Sequence, residues 1–337
     1  MTEIEKEYYR RLALQEEYGG TNKPVNKITP LVSVVTITYQ HAPYIRQCLD
    51  GILMQETDFP YEIIIGEDGS TDGTREICIE YANKYPDKIR LFLRDRKLTQ
   101  YVTKDGRTIR FNGHFARAAA RGKYVAMCEG DDYWIDKKKL SVQVAILEAD
   151  KAMMLCSTSF MICNQNGTII KKKHKNQRKI HITDILLGNP IATCTCLYRN
   201  MIRIEDVPLC LRSMWYFDCV LWILLLEKGY GTQISAFTSV YRHNETGLVR
   251  STSIKTKVLD TDNLYNCLID RYPDRLRKYC YRGRNASYIN LAWLSIKSDP
   301  IAAKEIFRRA SLPVGCNLSS YIKYFCLCIV LNFYRAN

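Results

Sequence analysis

Apolar residues recur along the first third of the chain in short runs separated by stretches with helical spacing. The runs Leu31–Thr38, Tyr61–Ile65 and Ile89–Leu93 predict strands, because they are short and bounded by turn residues, and the first two are rich in β-branched side chains. Between the first two runs, apolar positions 45, 49, 52 and 53 have the spacing of an amphipathic helix. A second helix is predicted from about residue 71 to Pro86. This order predicts a mostly parallel sheet with right-handed crossovers.

The rest of the chain continues the alternation before becoming helical. Further strands are predicted at Tyr124–Cys128, Met153–Phe160 and Ala192–Tyr198. Helices are predicted over residues 1–20, 114–121, around 140–147, from 218 to 229, and at several places after 256. The segment 321–334 is apolar on most faces but short, so a core helix is favoured over an interfacial one.

Polar segments between these elements are predicted to be loops. Residues 94–113 form a basic loop, Lys171–Lys175 an exposed turn and Tyr241–Gly247 a polar loop. The prediction is an α/β protein in three parts. These are an N-terminal helix and linker (1–30), a doubly wound, mostly parallel sheet flanked by helices (31–250) and a helical C-terminal region (251–337).

Charge and cysteine content narrow the class of protein. The chain has 49 Lys and Arg against 35 Asp and Glu, a net charge of +14, which favours an anionic partner. It has 14 cysteines but no Cys-x-x-Cys spacing, so reduced, buried thiols in a cytoplasmic protein are expected. The charged N-terminus does not resemble a signal peptide, and no apolar run approaches the ~20 residues of a spanning helix. No pattern indicates nucleic-acid binding or an oligomeric state.

Two acidic loops follow predicted strands. Glu129, Asp131 and Asp132 place three carboxylates within four residues after the strand Tyr124–Cys128. Such a group either forms a solvated turn or is neutralised by a hard divalent cation. The loop Glu67–Gly73 ends a neighbouring parallel strand and should meet the same crevice. This arrangement suits a nucleotide diphosphate, with one carboxylate for the base or ribose and another for a metal on the phosphates.

Four motifs resemble one enzyme family. They are Val32–Tyr39, Ile63–Thr74, Ala120–Val125 and Glu129–Trp134, and their order and spacing are similar to those of family 2 glycosyltransferases with the GT-A fold. The resemblance covers about residues 31–250. It implies a nucleotide-sugar donor, a divalent metal (Mn²⁺ or Mg²⁺) and transfer with inversion.

The resemblance also implies roles for residues in the nucleotide site. Tyr39 would pack against the base, and Asp68 would contact the uracil. Asp131 and Asp132 would form the metal-and-ribose pair, with Asp132 as the metal ligand. Arg110 is chosen as the phosphate contact among several basic residues.

Two further residues are matched to the family's pattern. Asp218 occupies the position of the catalytic base, and an apolar helix with Trp222 follows it. His243 lies in a segment resembling the family's lid, where it would touch the metal or diphosphate, although a loop histidine is more often a surface residue. Two positions depart from the pattern. Ile37 replaces a common Pro or Thr, and Glu67 replaces the usual Asp and is assigned no role.

The expected function is inverting transfer of a sugar from a UDP-sugar to a hydroxyl of a glycan or lipid-linked acceptor in surface polysaccharide biosynthesis. The positive charge would help the protein sit against the inner face of the cell membrane. One alternative is a non-catalytic nucleotide- or glycan-binding subunit. Another is a sugar-phosphate nucleotidyltransferase, which would carry a glycine-rich, basic loop where this chain has Tyr39–Pro43.

Overall fold

The computed structural model describes residues 3–102, 108–208, 211–212, 217–244, 252–312 and 318–333. The chain divides into two units. The sheet unit comprises Met1–Ile180, Ile191–Asp206 and Leu224–Glu245. The helical unit comprises His181–Pro190, Val207–Ile223 and Thr246–Asn337. The helical unit thus takes two segments from before residue 250, and the predicted boundaries at 30 and 250 stay a prediction.

The described part of the sheet unit contains a ten-stranded sheet and a separate two-stranded hairpin. The strands are β1 Val32–Thr38, β2 Tyr61–Glu67, β3 Ile89–Leu93, β4 Gln100–Val102, β5 Thr108–Arg110, β6 Tyr124–Met127, β7 Tyr133–Trp134, β8 Met153–Asn164, β9 Ile169–Lys173, β10 Arg178–Ile180, β11 Leu197–Arg199 and β12 Tyr230–His243. The main sheet has the order β10-β12-β8-β11-β6-β1-β2-β3, β7 also pairs with β12, and β9 with β8. Strands β4 and β5 form the hairpin.

The half of the sheet built from β3, β2, β1 and β6 is entirely parallel. Val32 of β1 lies opposite both Tyr61 of β2 and Tyr124 of β6, so these three strands start level and end at one edge. In the other half, β11 runs antiparallel to both its neighbours, while β12 is parallel to β8. The predicted α/β fold is confirmed, with its parallel part where the acidic loops lie.

Helices cover the sheet and make up the described helical unit. They are α1 Glu3–Leu12, α2 Pro24–Lys27, α3 Ile45–Leu53, α4 Thr74–Lys84, α5 Arg96–Thr99, α6 Asn112–Ala118, α7 Lys139–Ala149, α8 Ile182–Leu187, α9 Phe217–Leu226, α10 Ile254–Arg271, α11 Asp274–Ser295, α12 Pro300–Phe307 and α13 Leu318–Phe333. Short 3₁₀ turns occur at Thr193–Thr195 and Ile204–Asp206. In the part of the chain that the structure describes, no helix is long and apolar enough to cross a bilayer.

Each unit has its own hydrophobic core. In the sheet unit, Ile45, Leu49 and Ile52 of α3 are fully buried against strands β1 and β2, as their helical spacing predicted. This packing holds the start of α3 close to the edge where β1 ends. A second core in the helical unit is formed by α11, α12 and α13 around Ile289 and Leu327.

Three segments predicted as loops or turns are regular structure. Residues 94–113 contain α5, the β4–β5 hairpin and the start of α6. Residues 171–173 of the predicted turn Lys171–Lys175 lie in β9. The Asn164 side chain accepts two backbone N–H groups and Gly167 adopts φ 84°, so the chain turns back from β8 and pairs with it as β9. Residues 241–243 end strand β12 instead of forming a loop, and residues 245–247 lie outside the described part of the chain.

Smaller differences concern the N-terminus, one strand and one cysteine. Helix α1 ends at Leu12, and the predicted linker contains α2. Of the predicted strand Ala192–Tyr198, only the last two residues are in a strand, which continues to Arg199. Eleven described cysteines are free, nine of them buried, as expected. The expectation of reduced thiols fails at Cys267, which is disulfide-bonded.

Candidate active site

The loops after β1, β2 and β6 lie along one edge of the sheet. The backbone N–H of Asp68 donates to the Thr38 carbonyl at 3.0 Å, and the N–H of Gly130 donates to the Ile37 carbonyl at 3.0 Å. These bonds continue the parallel pairing past the strand ends. The structure therefore brings four of the predicted site residues to the same edge, namely Tyr39, Asp68, Asp131 and Asp132.

The first two loops are joined by reciprocal hydrogen bonds. Gln40 adopts φ 55°, a conformation that costs energy in a non-glycine residue. Its backbone N–H donates to Ser70 Oγ at 3.0 Å. Its side-chain amide accepts from the N–H of Thr71 at 2.9 Å and donates to the Thr71 hydroxyl at 3.1 Å. Asp72 adds a bond from the N–H of Ala42 at 3.0 Å. These hydrogen bonds hold the loops after β1 and β2 together.

Glu67, to which the sequence gave no role, organises the second loop from inside. Its side chain is fully buried. One oxygen accepts the N–H of Ser70 at 2.6 Å, and the other accepts from Arg75 Nε at 2.5 Å. Both oxygens are thus engaged by the protein, which fits a structural carboxylate better than a ligand contact.

Asp68 is buried, with 6% of its surface exposed, and belongs to a small cluster. The Thr99 hydroxyl donates to its Oδ1, and Arg96 Nη1 lies 3.9 Å from its Oδ2. Burial raises the pKa of Asp68, against the opposing effects of Thr99 and Arg96. The Arg96 guanidinium also lies 3.5 Å from the centre of the Tyr39 ring. We call Tyr39, Asp68, Arg96 and Thr99 the Asp68 cluster.

The sequence does not single out Arg96 and Thr99, because the polar pattern of residues 94–113 predicts a loop. The side chain of Asp95 accepts the N–H of Lys97 and begins the short helix α5, which turns both residues toward Asp68. This acidic cap was the only local indication of the helix. Arg110, the predicted phosphate contact, is exposed on β5. Its pKa is lowered by loss of hydration and by the charge of Arg96, against the effect of Asp68, so Arg110 lies near this cluster.

Arg94 supports the same edge of the sheet through its contact with Asn112. It is buried, and its Nη1 donates to Asn112 Oδ1 at 2.5 Å, while Asn112 Nδ2 donates to the Gly66 carbonyl at 3.0 Å. A Cβ at Gly66 would overlap Arg94 and Asn112, so this position needs glycine. Desolvation lowers the pKa of Arg94 to about 10. Arg94 is therefore a structural cation.

The acidic turn after β6 holds a carboxylate oxygen that the protein does not satisfy. Asp132 is 2% exposed, and its Oδ1 accepts the N–H of Arg242 at 2.7 Å. Its Oδ2 is buried and accepts no N–H or O–H hydrogen bond among the described residues, and only the weakly donating Cys194 thiol lies close to this carboxylate. Burial, followed by the charges of Asp131 and Glu129, raises the pKa of Asp132 well above its usual range. A buried, unpaired carboxylate oxygen is costly, which points to a missing positive partner.

His41 faces the neighbouring carboxylate and was not singled out from the sequence. Its Nε2 lies 3.8 Å from Asp131 Oδ2, and its Nδ1 lies 3.3 Å from Thr38 Oγ1. Burial lowers the pKa of His41, although Asp131 and Asp72 oppose this effect. Gly130 makes the approach possible, since a Cβ there would lie 2.5 Å from Thr38 Oγ1 and 2.9 Å from His41 Nδ1.

Arg242 fixes the acidic turn to the end of β12. Its Nε donates to the Asp131 carbonyl at 2.9 Å, and its Nη2 donates to Gln47 Oε1 of α3 at 2.7 Å. Its Nη1 donates to the carbonyls of Asn164 and Gln165 at 3.3 and 3.2 Å. One buried guanidinium thus joins β12, α3, the β8–β9 turn and the acidic turn. Sequence reasoning placed Arg242 in a loop and missed this role.

His243 follows Arg242 and is exposed at the end of β12, opposite Asn164 of β8. The prediction that the polar loop begins at Tyr241 is therefore wrong, because the chain is still paired in the sheet at His243. The prediction that it contacts metal or diphosphate stays a prediction.

Asp218 belongs to the helical unit and lies in the first turn of α9. Its side chain is half-buried, and its Oδ2 accepts from Asn189 Nδ2 at 3.0 Å. A carboxylate in the first turn of a helix is stabilised as the anion by the helix dipole. The role of Asp218 as the catalytic base stays a prediction.

The donor set fits a divalent cation that takes few protein ligands. The described residues contain no group of three or more side chains placed to hold a metal by themselves. The unsatisfied Oδ2 of Asp132, beside Asp131, provides hard oxygen ligands. Mg²⁺ in particular is commonly held by one or two carboxylates and completed by substrate phosphates and water, so the small protein set is compatible with such an ion.

A solved structure is similar to most of this chain. S. aureus TarS 1–349 in complex with UDP aligns with a TM-score of 0.55 at 16% identity, covering 90% of this chain and 91% of that chain. At this identity the likeness shows the fold, which is the GT-A fold predicted from the sequence.

Sequence relatives are more similar over part of the chain. The uncharacterized protein Rv1520 of Mycobacterium tuberculosis is 32% identical over 225 residues, covering 65% of this chain and 61% of that protein. The putative teichuronic acid biosynthesis glycosyltransferase TuaG of Bacillus subtilis is 28% identical over 202 residues, covering 60% of this chain and 74% of TuaG. The match thus spans about three fifths of the mycobacterial relative's length.

A third relative matches over a longer stretch. The Escherichia coli protein WfaP, a UDP-Glc:alpha-D-GlcNAc-diphosphoundecaprenol beta-1,3-glucosyltransferase, is 23% identical over 278 residues, covering 76% of this chain and 98% of WfaP. The model of the family described as Glycosyl transferase family 2 matches residues 33–207, just over half of the chain. The chain therefore belongs to glycosyl transferase family 2.

Proposed function

We propose that this protein is an inverting glycosyltransferase that moves a sugar from a UDP-sugar to a hydroxyl of a glycan or lipid-linked acceptor in surface polysaccharide biosynthesis. The observation that carries the proposal is the buried, unsatisfied Oδ2 of Asp132 at the sheet edge shared with Asp68. The descriptions of TuaG and WfaP as glycosyltransferases and the UDP complex of TarS support the donor and the biosynthetic class.

The Asp68 cluster is proposed to hold the nucleoside. Tyr39 and Arg96 offer flat surfaces on which a base can stack, and a carboxyl oxygen of Asp68 can accept a hydrogen bond from an N–H of uracil. Asp131 would accept from a ribose hydroxyl. Arg110, exposed close to this cluster, would interact with the diphosphate.

Asp132, with Asp131 beside it, is proposed to hold Mn²⁺ or Mg²⁺ together with the diphosphate, and His243 is a further candidate ligand. When bound, such an ion neutralises charge on the departing UDP as a Lewis acid. The chain contributes a rigid turn, because Arg242 and Gly130 fix the position of both carboxylates before any ligand arrives.

Asp218 is proposed to be the general base. The acceptor oxygen forms the new bond to the anomeric carbon as Asp218 takes its proton and the bond to UDP breaks, so the anomeric configuration inverts. Asn189 holds the Asp218 carboxylate in one orientation. The location proposed for this reaction is the cytoplasmic side of the cell membrane, with the protein peripherally attached.

Metal-dependent UDP release from a panel of UDP-sugars tests the proposal. With Mn²⁺, the native chain should release UDP from one sugar, and Asp132→Ala and Asp218→Asn should each lower the rate by at least roughly 100-fold. Asp270→Asn, an exposed carboxylate on α10, is the control and should leave the rate unchanged. Donor hydrolysis needs no known acceptor.

Two outcomes would contradict the proposal. UDP binding without turnover, even with mixed glycan acceptors, would support a non-catalytic binding subunit. Formation of a nucleotide sugar from a sugar phosphate and UTP would support a nucleotidyltransferase. The sequence between Tyr39 and Pro43 lacks the glycine-rich phosphate loop expected for the latter.

A further inference from the structure

The last described helix, α13, has two apolar faces. One face packs into the core of the helical unit through Leu327 and Leu331. The other carries Leu318, Ile322, Phe325 and Ile329, each between 54% and 74% exposed. Their spacing of four, three and four residues puts them on one stripe of the helix. We call these four residues the α13 stripe. The core helix favoured from the sequence is thus only half buried.

Other large apolar side chains of the helical unit are also exposed. Trp293 and Leu294 lie near the end of α11, and Ile301 lies at the start of α12. Isolated exposed apolar residues are ordinary, but a regular stripe with an exposed tryptophan in the same unit is not. Tryptophan and aliphatic side chains together are typical of surfaces that enter the headgroup region of a bilayer.

The charge of the C-terminal helices α10 to α13 indicates what covers the stripe. Residues 252–312 and 318–333 contain thirteen Lys and Arg against six Asp and Glu. Helix α13 itself has no acidic residue, and Lys297 and Arg308 are exposed, while the exposed Arg309 forms an ion pair with Asp262 at 2.7 Å. A second copy of this chain would bring the same positive charges together, whereas an anionic lipid surface complements them.

We propose that the α13 stripe docks the protein on an anionic membrane surface. The helix lies in the plane of the interface, with the stripe among the lipid headgroups and upper acyl chains and the basic side chains near lipid phosphates. This proposal gives the peripheral attachment of the preceding subsection a defined surface. It does not depend on catalysis, because vesicle binding is measured without a sugar donor.

Vesicle flotation tests the proposal with the full chain. Binding should be strong to vesicles containing about one third anionic phosphatidylglycerol in phosphatidylcholine, at least roughly tenfold weaker to pure phosphatidylcholine, and reduced by 0.5 M salt because exposed charges are then screened. Ile322→Glu with Ile329→Glu should lower binding to the anionic vesicles by at least roughly tenfold, since two charges then replace apolar contacts. Ile322→Ser with Ile329→Ser, which adds no charge, should also weaken it.

The matched control is Leu14→Glu with Val142→Glu. Both residues are exposed in the sheet unit, so this variant has the same change in net charge at other places. It should keep most of the binding. Circular dichroism and the rate of UDP release without vesicles should be the same for all variants, which separates membrane docking from folding and from the proposed transfer reaction.

Three results would overturn the proposal. Native protein could fail to float with anionic vesicles. The stripe variants could bind as well as the native chain or lose no more binding than the control. Finally, the native chain could form a concentration-dependent dimer that the stripe variants abolish, in which case a second copy covers the stripe.

Discussion

At the scale of single residues, Gly130 determines how closely the acidic turn approaches Thr38 and His41. We expect Gly130→Ala to destabilise the fold by about 1–3 kcal/mol, because the new methyl group enters space occupied by both side chains. The displaced carboxylates should lower UDP release by roughly 100-fold. Thermal unfolding and the release assay measure the two effects.

Gly113→Ala is the matched control for this substitution. Gly113 lies in helix α6 of the sheet unit. A Cβ there would meet only Ile37 Cδ1, at an ordinary distance of 3.8 Å. Stability and UDP release should be unchanged or slightly improved, since Ala favours a helix. Equal behaviour of the two variants would show that the close approach at Gly130 has no consequence.

Individual residues were predicted unevenly from the sequence. Asp68, Asp131 and Asp132 stand directly after apolar strands, so a local pattern predicts their place at the sheet edge, where the structure has them. His41 and Arg96 have no such pattern. Their proximity to carboxylates depends on the turn at Gln40 and on α5, and neither turn was evident in the sequence.

At the scale of elements, Arg242 joins β12 to α3 and to the acidic turn. We expect Arg242→Lys to cost about 2–3 kcal/mol of stability and to lower UDP release, because a single ammonium group cannot reach acceptors on all sides of the guanidinium. The Asp132 contact is made by the backbone N–H and survives the substitution. Denaturant unfolding and the release assay check the expectation.

Arg203→Lys provides the comparison for this variant. Arg203 is exposed, and its guanidinium makes one described hydrogen bond, to Asn200 at 3.3 Å. Its substitution should change stability by less than about 0.5 kcal/mol. If Arg242→Lys is equally mild, the guanidinium does not hold the turn.

Elements with a clear period were predicted well, and those without one were not. Helix α3 and strands β1 to β3 follow apolar patterns that local geometry dictates. The strands of the hairpin β4–β5 are only three residues each, with an exposed Arg110 on β5, and β9 carries exposed lysines, so their patterns look like loops. Their strand structure depends on partners elsewhere in the chain.

At the scale of the whole molecule, a fragment ending at residue 250 tests the predicted domain boundary. Within the helical unit, the Leu186 carbonyl accepts from Tyr265 at 3.2 Å, and Gly283 of α11 packs so closely on it that a Cβ would overlap. Fragment 1–250 lacks both partners. We expect it to expose Ile185 and Leu186 of α8, and so to bind a hydrophobic dye or aggregate more than the full chain.

The opposite result would support the boundary. A monomeric fragment 1–250 with one cooperative unfolding transition and no excess dye binding would show that residues 31–250 fold without the C-terminal helices. The full chain, measured at the same concentration, is the reference.

The sequence by itself determined the order of the first strands and helices, the parallel half of the sheet and the placement of acidic loops at its edge, because periodicity and turn residues act locally. Tertiary structure decided the rest. Packing, which local patterns do not encode, selected Arg96 and Arg242 among many basic residues and left Asp132 Oδ2 unsatisfied. It also assembled the helical unit from three segments and left one apolar face of α13 exposed.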